Sequence, residues 1–138
     1  MPIVTLYPKN VMYIKLIQPK MHKRFMDTDL KSRISPPLGL YTIANMFKDA
    51  HRISVENENV GAIDFDDKPD IVGISINVDS INRAKEILSA LAEGVDPTTG
   101  ELLPEDSVYN KGDVVRALYT ILIALDTKKS KREQPENA

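Results

Sequence analysis

The residue types that carry most enzyme chemistry are scarce in this chain. It has 138 residues, no cysteine and only two histidines, His22 and His51, which lie far apart in the sequence. Without cysteine there is no disulfide, no thiolate nucleophile and no iron–sulfur cluster, and zinc loses a principal ligand. We therefore predict no catalytic residue and no metal site.

A run of acidic residues is a second candidate for chemistry. Its carboxylates are Glu56, Glu58, Asp64, Asp66 and Asp67. Such groups can act as general acids or bind Mg²⁺, but carboxylates clustered in a connection before a strand are more typical of a solvated loop. We predict a solvated loop, anchored by the apolar residues Ile63 and Phe65.

Basic residues near the C-terminus are a candidate for phosphate contact. They are Lys128, Lys129, Lys131 and Arg132, in a chain whose net charge is −2. A few charges on a flexible segment attract nucleic acid only weakly and in a salt-sensitive way. We predict that residues 127–138 form a disordered tail and that nucleic acid is not a partner.

Strand and helix patterns alternate along the first two thirds of the chain. The apolar run at 11–17 is typical of a buried parallel strand, and residues 38–49 carry apolar side chains at helical spacing. A short strand over 53–55, a buried strand over 70–76 and a helix over 81–93 follow. The polar stretch between the first strand and the first helix predicts a long loop, a kind that is often functional.

This order of elements predicts an α/β fold. It is half of a doubly wound, Rossmann-like parallel sheet with three strands, in the order 2-1-3, because a right-handed crossover places the first strand in the middle. Sheets of this kind bind ligands in a crevice at the carboxyl ends of the strands.

The last third of the chain has a different pattern. Gly94 is a natural end for the preceding helix, and residues 96–100 predict a turn. A polar loop and a helix over 113–125 follow. We expect an α/β domain at residues 1–93, a small loop-helix module at 94–126, and then the tail.

Four blocks of sequence resemble the cobalamin-binding domain of radical SAM proteins. They are VMYIKLIQP at 11–19, SPPLGLYTIA at 35–44, the residues at 48–55, and PDIVGISINV at 69–78. In that family a strand ending in proline is followed by a loop, a PPLGL helix start, a second strand and a PDIVGIS strand. The resemblance covers about residues 11–87 and implies the same Rossmann-like fold.

The resemblance also implies a place for the cofactor. In the family the corrin lies over the carboxyl ends of the strands, and its nucleotide tail descends beside the sheet. The positions implied for cofactor contact are Pro37 and Gly39, in the PPLGL block, and Ser75 and Asn77, which match a Ser-x-Leu element with asparagine in place of leucine. Alternatively, Ser75 simply satisfies backbone groups at the end of its strand.

Two departures weaken the cofactor prediction. The family's Asp-x-His-x-x-Gly motif is not matched, since His22 has neither the aspartate before it nor the glycine after it. The family pattern also ends near Glu86, before two later strands and a glycine-rich segment. We expect a truncated domain in which cobalamin is possible but no cofactor is the better expectation. Without cysteine the chain cannot hold the radical SAM iron–sulfur cluster.

A second resemblance covers residues 84–125. It is to a small bacterial module of unclear function found beside helicase-like or helix-turn-helix segments, whose DPxTGExLP core appears here as DPTTGELLP at 96–104. The expected function is a non-catalytic module related to the cobalamin-binding domain. The alternative is a protein-interaction or nucleic-acid-associated regulatory module that uses the C-terminal helix.

The strand at the edge of the predicted sheet suggests how the chain could associate with a partner. The strand at 70–76 is too apolar to be left exposed, so either the C-terminal helix covers it or two chains pair there, and we favour a homodimer. No apolar run approaches the ~20 residues of a bilayer span, and residues 1–10 lack the features of a secretory signal. We expect no membrane association and a cytoplasmic location.

Overall fold

A computed structural model describes residues 10–23, 25–26, 30 and 36–133 of the chain. The chain divides into two compact units between Arg83 and Ala84. The sequence placed this boundary after residue 93, at the end of a helix. In the structure it falls within that helix, and Arg83, the last residue of the first unit, forms an ion pair with Glu58.

The first unit is built on a parallel sheet of three strands. They are β1 (Tyr13–Gln18), β2 (Arg52–Asn57) and β3 (Ile71–Ile74). The order β2-β1-β3 confirms the predicted α/β fold with the first strand in the middle. All six residues of β1 pair with β2, whereas only four pair with β3. The strand β2 is therefore longer than the predicted 53–55, and β3 is shorter than the predicted 70–76.

One helix, α1 (Leu38–Phe47), packs on β1 and β2. Its Leu40 forms a small core with Ile14 and Leu16 of β1, surrounded by Met12, Ala44, Ile53 and Val55. Because α1 lies over the other two strands, Ile71 of β3 is left exposed, as is Ile76 just beyond the strand. The sequence left two ways of covering this segment, the C-terminal helix or a second chain, and the homodimer stays a prediction.

The opposite face of β1 carries a buried lysine. Lys15 is 0 % exposed, and its Nζ lies 3.1 Å from Glu56 and 2.9 Å from Asp67 while also donating to the carbonyl of Asp64. A buried charge without such partners costs several kcal/mol. The acidic stretch is therefore not simply a solvated loop, because two of its carboxylates neutralise this lysine.

The same stretch is fastened by its apolar anchors. Ile63 and Phe65 are buried, as predicted, and the Phe65 ring centroid lies 5.6 Å from the Lys15 ammonium. The Tyr13 hydroxyl donates to Asp67 over 2.6 Å. Burial, together with this hydrogen bond, raises the pKa of Tyr13, so the hydroxyl stays a donor at neutral pH.

The second unit contains most of helix α2 (Ile81–Ala92), a short 3-10 helix (Val108–Asn110) and helix α3 (Gly112–Glu133). Lys85 of α2 forms an ion pair with Asp126 of α3 over 2.6 Å. The buried apolar side chains of this unit are Ala84, Ile87, Leu88, Leu91, Ala92, Leu103, Tyr109 and Leu118. Tyr109 is thus in the core of this unit, whereas Tyr119 is exposed.

The segment that follows α2 is a closed turn. Gly94 adopts a φ of 74°, and the N–H of Val95 donates to the carbonyl of Ala90 over 2.9 Å, which completes the predicted glycine cap. The N–H of Gly100 then donates to the carbonyl of Asp96 over 2.8 Å, within the predicted turn. An antiparallel bridge between Val95 and Leu102, which the sequence did not predict, closes the base of the turn.

Helix α3 is longer than predicted. The prediction of a disordered tail from residue 127 is wrong for residues 127–133, which continue the helix. Lysine, arginine and glutamate are good helix formers, and extending an existing helix is easier than nucleating one. Residues 134–138 and most of the predicted loop at 20–35 lie outside the described residues. In the described part of the chain, no helix is long and apolar enough to cross a membrane.

Replacement of Lys15 by methionine tests the buried cluster. The change leaves Glu56 and Asp67 facing an apolar side chain, and we expect the free energy of unfolding to fall by about 3 kcal/mol. Urea unfolding followed by circular dichroism measures this loss. The control is Lys48→Met, at an exposed lysine of the same unit, with an expected change within about 0.5 kcal/mol. Equal stability of the two variants would contradict the role given to Lys15.

Candidate functional site

The carboxyl ends of the three strands meet at one edge of the sheet, because the strands are parallel. The loops that leave this edge are tied to one another. The N–H of Lys20 donates to the Glu58 carboxylate over 2.8 Å, and the N–H of Met21 donates to Asn59 Oδ1 over 3.0 Å. The N–H of His22 reaches the carbonyl of Asp79, which follows β3. These hydrogen bonds join the described residues that follow the three strands.

Glu58 forms hydrogen bonds to two other segments at this edge. It accepts from Arg83 Nε over 2.9 Å while it also holds the backbone after β1. Burial by itself would raise the pKa of Glu58. The hydrogen bonds from Arg83 and from the Lys20 N–H outweigh burial and hold that pKa below its usual value. Glu58 is therefore ionised at neutral pH and joins β1, β2 and the start of α2.

A crevice lies between the start of α1 and the carboxyl ends of β1 and β3. Its volume is about 340 Å³. It is lined by Leu16, Gln18, Pro37, Gly39, Leu40, Ile43, Gly73, Ile74 and Ser75. The structure thus brings together three of the four residues that the sequence marked for cofactor contact, which are Pro37, Gly39 and Ser75.

Gly73 and Leu16 shape the floor of the crevice. A Cβ atom on Gly73 would lie 2.8 Å from Cδ2 of Leu16. The glycine thus lets the leucine side chain of the central strand extend over β3. A larger residue there would push Leu16 toward the space that the crevice occupies.

Asn77, the fourth predicted residue, does not line this crevice. Its Oδ1 accepts the backbone N–H groups of Asp79 and Ser80, each over 3.0 Å. Ser80 Oγ accepts from the Asn77 N–H and lies 3.3 Å from the carbonyl of Ser75. Asn77 therefore shapes the turn before α2, which is a common use of asparagine.

A second crevice of about 480 Å³ lies on the β2 side of Pro37. Its walls include Tyr41 and Val60, and its polar groups include Glu56 and Asp64. These carboxylates are engaged within the fold, because Glu56 accepts the Asp64 N–H and Asp64 accepts the Asp66 N–H. Glu56 also pairs with Lys15.

The first crevice fits only part of a cobalamin. Ligand pockets span about 300–1,000 Å³, so 340 Å³ is at the small end of the range. Its mostly apolar walls and the hydroxyl of Ser75 suit a planar heterocycle with a sugar, which is the chemistry of the nucleotide tail. A whole corrin ring does not fit inside. In the described residues no group of three or more histidines and carboxylates is arranged to hold a metal ion.

Comparison with protein-family models, with curated proteins and with solved structures finds no match to this chain. The resemblance to the cobalamin-binding domain therefore rests on the sequence blocks themselves.

Sequence reasoning did not predict two ion-pair clusters. The first joins Lys15 to Glu56 and Asp67, and the second joins Glu58 to Arg83. A signal existed for the first, because Lys15 interrupts an otherwise apolar strand and an acidic stretch follows later in the chain. The pair of Glu58 and Arg83 gave no such signal. These residues lie 25 positions apart and only the tertiary structure joins them.

The acid sensitivity of the fold tests the role of Glu58. Since its folded pKa is lowered, its contribution is present above the unfolded pKa of about 4.3 and is lost as pH falls through the lower folded value. We expect Glu58→Gln to lower the free energy of unfolding by about 2 kcal/mol at pH 7. The difference from the parent chain should narrow as the pH falls below the unfolded pKa of about 4.3.

Urea unfolding at a series of pH values provides the measurement. The matched control is Asp49→Asn, which removes an exposed carboxylate from the same unit and should change stability by less than about 0.5 kcal/mol at every pH. A Glu58→Gln deficit that stays constant down to pH 3 would contradict the assignment.

Proposed function

We propose that the first unit is a non-catalytic ligand-holding module related to the cobalamin-binding domain of radical SAM proteins, with weak or no retention of a whole corrinoid by this chain. The observation that carries the proposal is the crevice at the carboxyl edge. Pro37, Gly39 and Ser75, implied by the resemblance alone, line one space where parallel α/β sheets bind ligands.

We expect cobalamin to bind weakly because few elements line that crevice. The helix α1 and the strands β1 and β3 supply the described walls, and the volume of about 340 Å³ is at the small end of the range for ligand sites. His22 is exposed, and its described contact is made by its backbone N–H. A cobalamin would gain the tail contacts and few others. Bound there, it would supply its own organometallic chemistry, while these residues would only position its tail.

The burial of the Lys15 cluster supports a non-catalytic role. Lys15 is wholly buried, and its ammonium is surrounded by Glu56, Asp67 and the carbonyl of Asp64. A lysine acts as a nucleophile or base only when it is accessible and can lose its proton. This cluster holds a loop on the sheet and is closed to substrate.

Hydroxocobalamin provides the direct test. We expect dialysed protein to retain less than a tenth of an equivalent of corrin absorbance, because a Kd weaker than about 100 µM, or about −5.5 kcal/mol, does not survive dialysis. In a titration followed by NMR, the backbone amides of Gly39 and Gly73 should shift. Ser75→Ala should weaken these shifts, and Ser89→Ala, outside the crevice, should not.

Two results would overturn the proposal. Stoichiometric retention after dialysis would show a complete cobalamin site, contrary to the expected weakness. Unchanged Gly39 and Gly73 amides at millimolar hydroxocobalamin would remove the crevice as a ligand site.

A second candidate function is a protein-interaction or nucleic-acid-associated module that uses the last helix. The observation in its favour is that Tyr119 and Ile123, one turn apart on α3, are both exposed. Aromatic and large aliphatic side chains in such positions are typical of contact surfaces. The homodimer through β3 also stays a prediction: among the described strands, β3 pairs with β1 alone.

DNA binding separates the two forms of this second candidate. We expect a Kd well above micromolar at physiological salt, because the chain has a net charge of −2 and the basic run at 128–132 contributes only four charges. Deletion of residues 128–138 should abolish the remaining affinity, as measured by fluorescence anisotropy with a labelled duplex. Tight binding that survives the deletion would contradict this and would assign DNA contact to the rest of the second unit.

A further inference from the structure

The second crevice, on the β2 side of Pro37, is not used by the ligand proposed above. Its volume of about 480 Å³ is within the usual range for small-molecule sites. Tyr41 lines it from one flank of α1, whereas Gly39 and Ile43, on the other flank, line the first crevice. Among the described residues, the two crevices share only Pro37. Helix α1 thus separates two spaces with different walls.

The main chain of β2 is open along this crevice. The N–H groups of Arg52 and Glu58, at the two ends of the strand, both donate to the segment that contains β1. Main-chain groups alternate in direction along a strand, so even-numbered residues of β2 face β1. Val55 and Asn57, which line the crevice, turn their main-chain groups the other way. Among the described strands, β2 pairs with β1 alone, so this side of β2 is an edge.

The open groups have a definite order along the edge. They are the N–H and the C=O of Val55, followed by the N–H of Asn57. The C=O of Asn57 is already used, because it accepts the N–H groups of Val60 and Gly61. The edge therefore presents one acceptor between two donors. A ligand that displaces water from these groups must offer one donor between two acceptors.

Adenine has this arrangement of polar atoms. Its exocyclic amino group is a donor, and a ring nitrogen acceptor lies on each side of it. Hypoxanthine has a carbonyl in place of the amino group, and this carbonyl would face the carbonyl of Val55. Tyr41 is 48 % exposed, and it supplies an aromatic ring on which a planar base can stack. The apolar side chain of Val60 lines the same space.

The charged groups of the crevice disfavour a phosphate. Glu56 and Asp64 line it, and its described lining residues include no lysine or arginine. Lys15, which pairs with Glu56, is buried on the face of β1 opposite α1. A nucleotide would bring its phosphate near these carboxylates, whereas the ribose hydroxyls of a nucleoside can donate to them.

We propose that the second crevice binds the adenine base of an uncharged nucleoside. The amino group donates to the Val55 carbonyl, the ring nitrogens accept from the N–H groups of Val55 and Asn57, and the base stacks on Tyr41. This site is separate from the ligand site proposed above, because it uses none of Gly39, Gly73 and Ser75.

Titration with adenosine, followed by NMR, tests the site. We expect shifts of the backbone amides of Val55, Asn57 and Gly61, with a Kd of about 0.1–1 mM for a small ligand in an open crevice. Inosine, in which a carbonyl replaces the amino group, should bind about tenfold more weakly or worse. Adenosine monophosphate should bind about threefold more weakly, because its phosphate meets the carboxylates.

Variants of Tyr41 test the stacking. Tyr41→Ala should weaken adenosine binding about tenfold, and Tyr41→Phe should retain it, because the ring and not the hydroxyl makes the contact. The matched control is Tyr119→Ala, at an exposed tyrosine of the second unit, which should bind adenosine as the parent chain does. Far-UV circular dichroism verifies that each variant is folded.

Equal binding of adenosine and inosine by the parent chain would overturn the proposal, and this comparison needs no variant. Unchanged amides of Val55, Asn57 and Gly61 at about 10 mM adenosine, well above the expected Kd, would also overturn it. So would adenosine shifts confined to Gly39 and Gly73, which would place the base in the first crevice.

The two ligand proposals can fail independently. Ser75→Ala should weaken the shifts caused by hydroxocobalamin and leave those caused by adenosine unchanged. Tyr41→Ala should have the opposite effect.

Discussion

The pairing of β1 on both of its sides is the constraint on which the first unit depends. Each strand beside it is held in register by main-chain hydrogen bonds, and the parallel direction brings all three carboxyl ends to one edge. Side chains on both faces of β1 are also buried, so they decide what each face packs against. Ile14 and Leu16 receive the helix α1, while Lys15 points to the opposite face and receives the acidic connection.

Charge compensation explains how so small a sheet keeps a lysine in its centre. The ammonium of Lys15 has two carboxylates and a carbonyl around it, and Phe65 lies beside it. Such a cluster contributes less to stability than an apolar core of the same volume, but it is demanding in geometry. It allows one position for the segment between β2 and β3. Glu56 and Asp67, which the sequence assigned to a solvated loop, therefore neutralise a buried lysine.

The carboxyl edge combines rigidity with an open crevice. Glu58, Asn59 and Asp79 fix the loops after the strands, and α1 leaves the space beside β3 uncovered. A preformed crevice binds a small ligand without a large ordering cost, but its affinity is limited by the number of its walls. The same placement of α1 leaves an uncharged helix facing outward. Because α1 is restricted to two of the three strands, both the crevice beside β3 and the outer side of the helix are left open.

The sequence by itself determined the α/β class, the strand order, the helix cap at Gly94 and the turn at 96–100. Apolar periodicity, the right-handed crossover and the backbone freedom of glycine are local or general properties, so they can be deduced without coordinates. Only the tertiary structure decided the partners of Lys15, the pair of Glu58 and Arg83, the use of Asn77 in a turn and the exposed side chains of α1. These features depend on which residues distant in the sequence come within a few ångströms of each other, and on how far a helix extends across a sheet. Neither is encoded in the spacing of residue types.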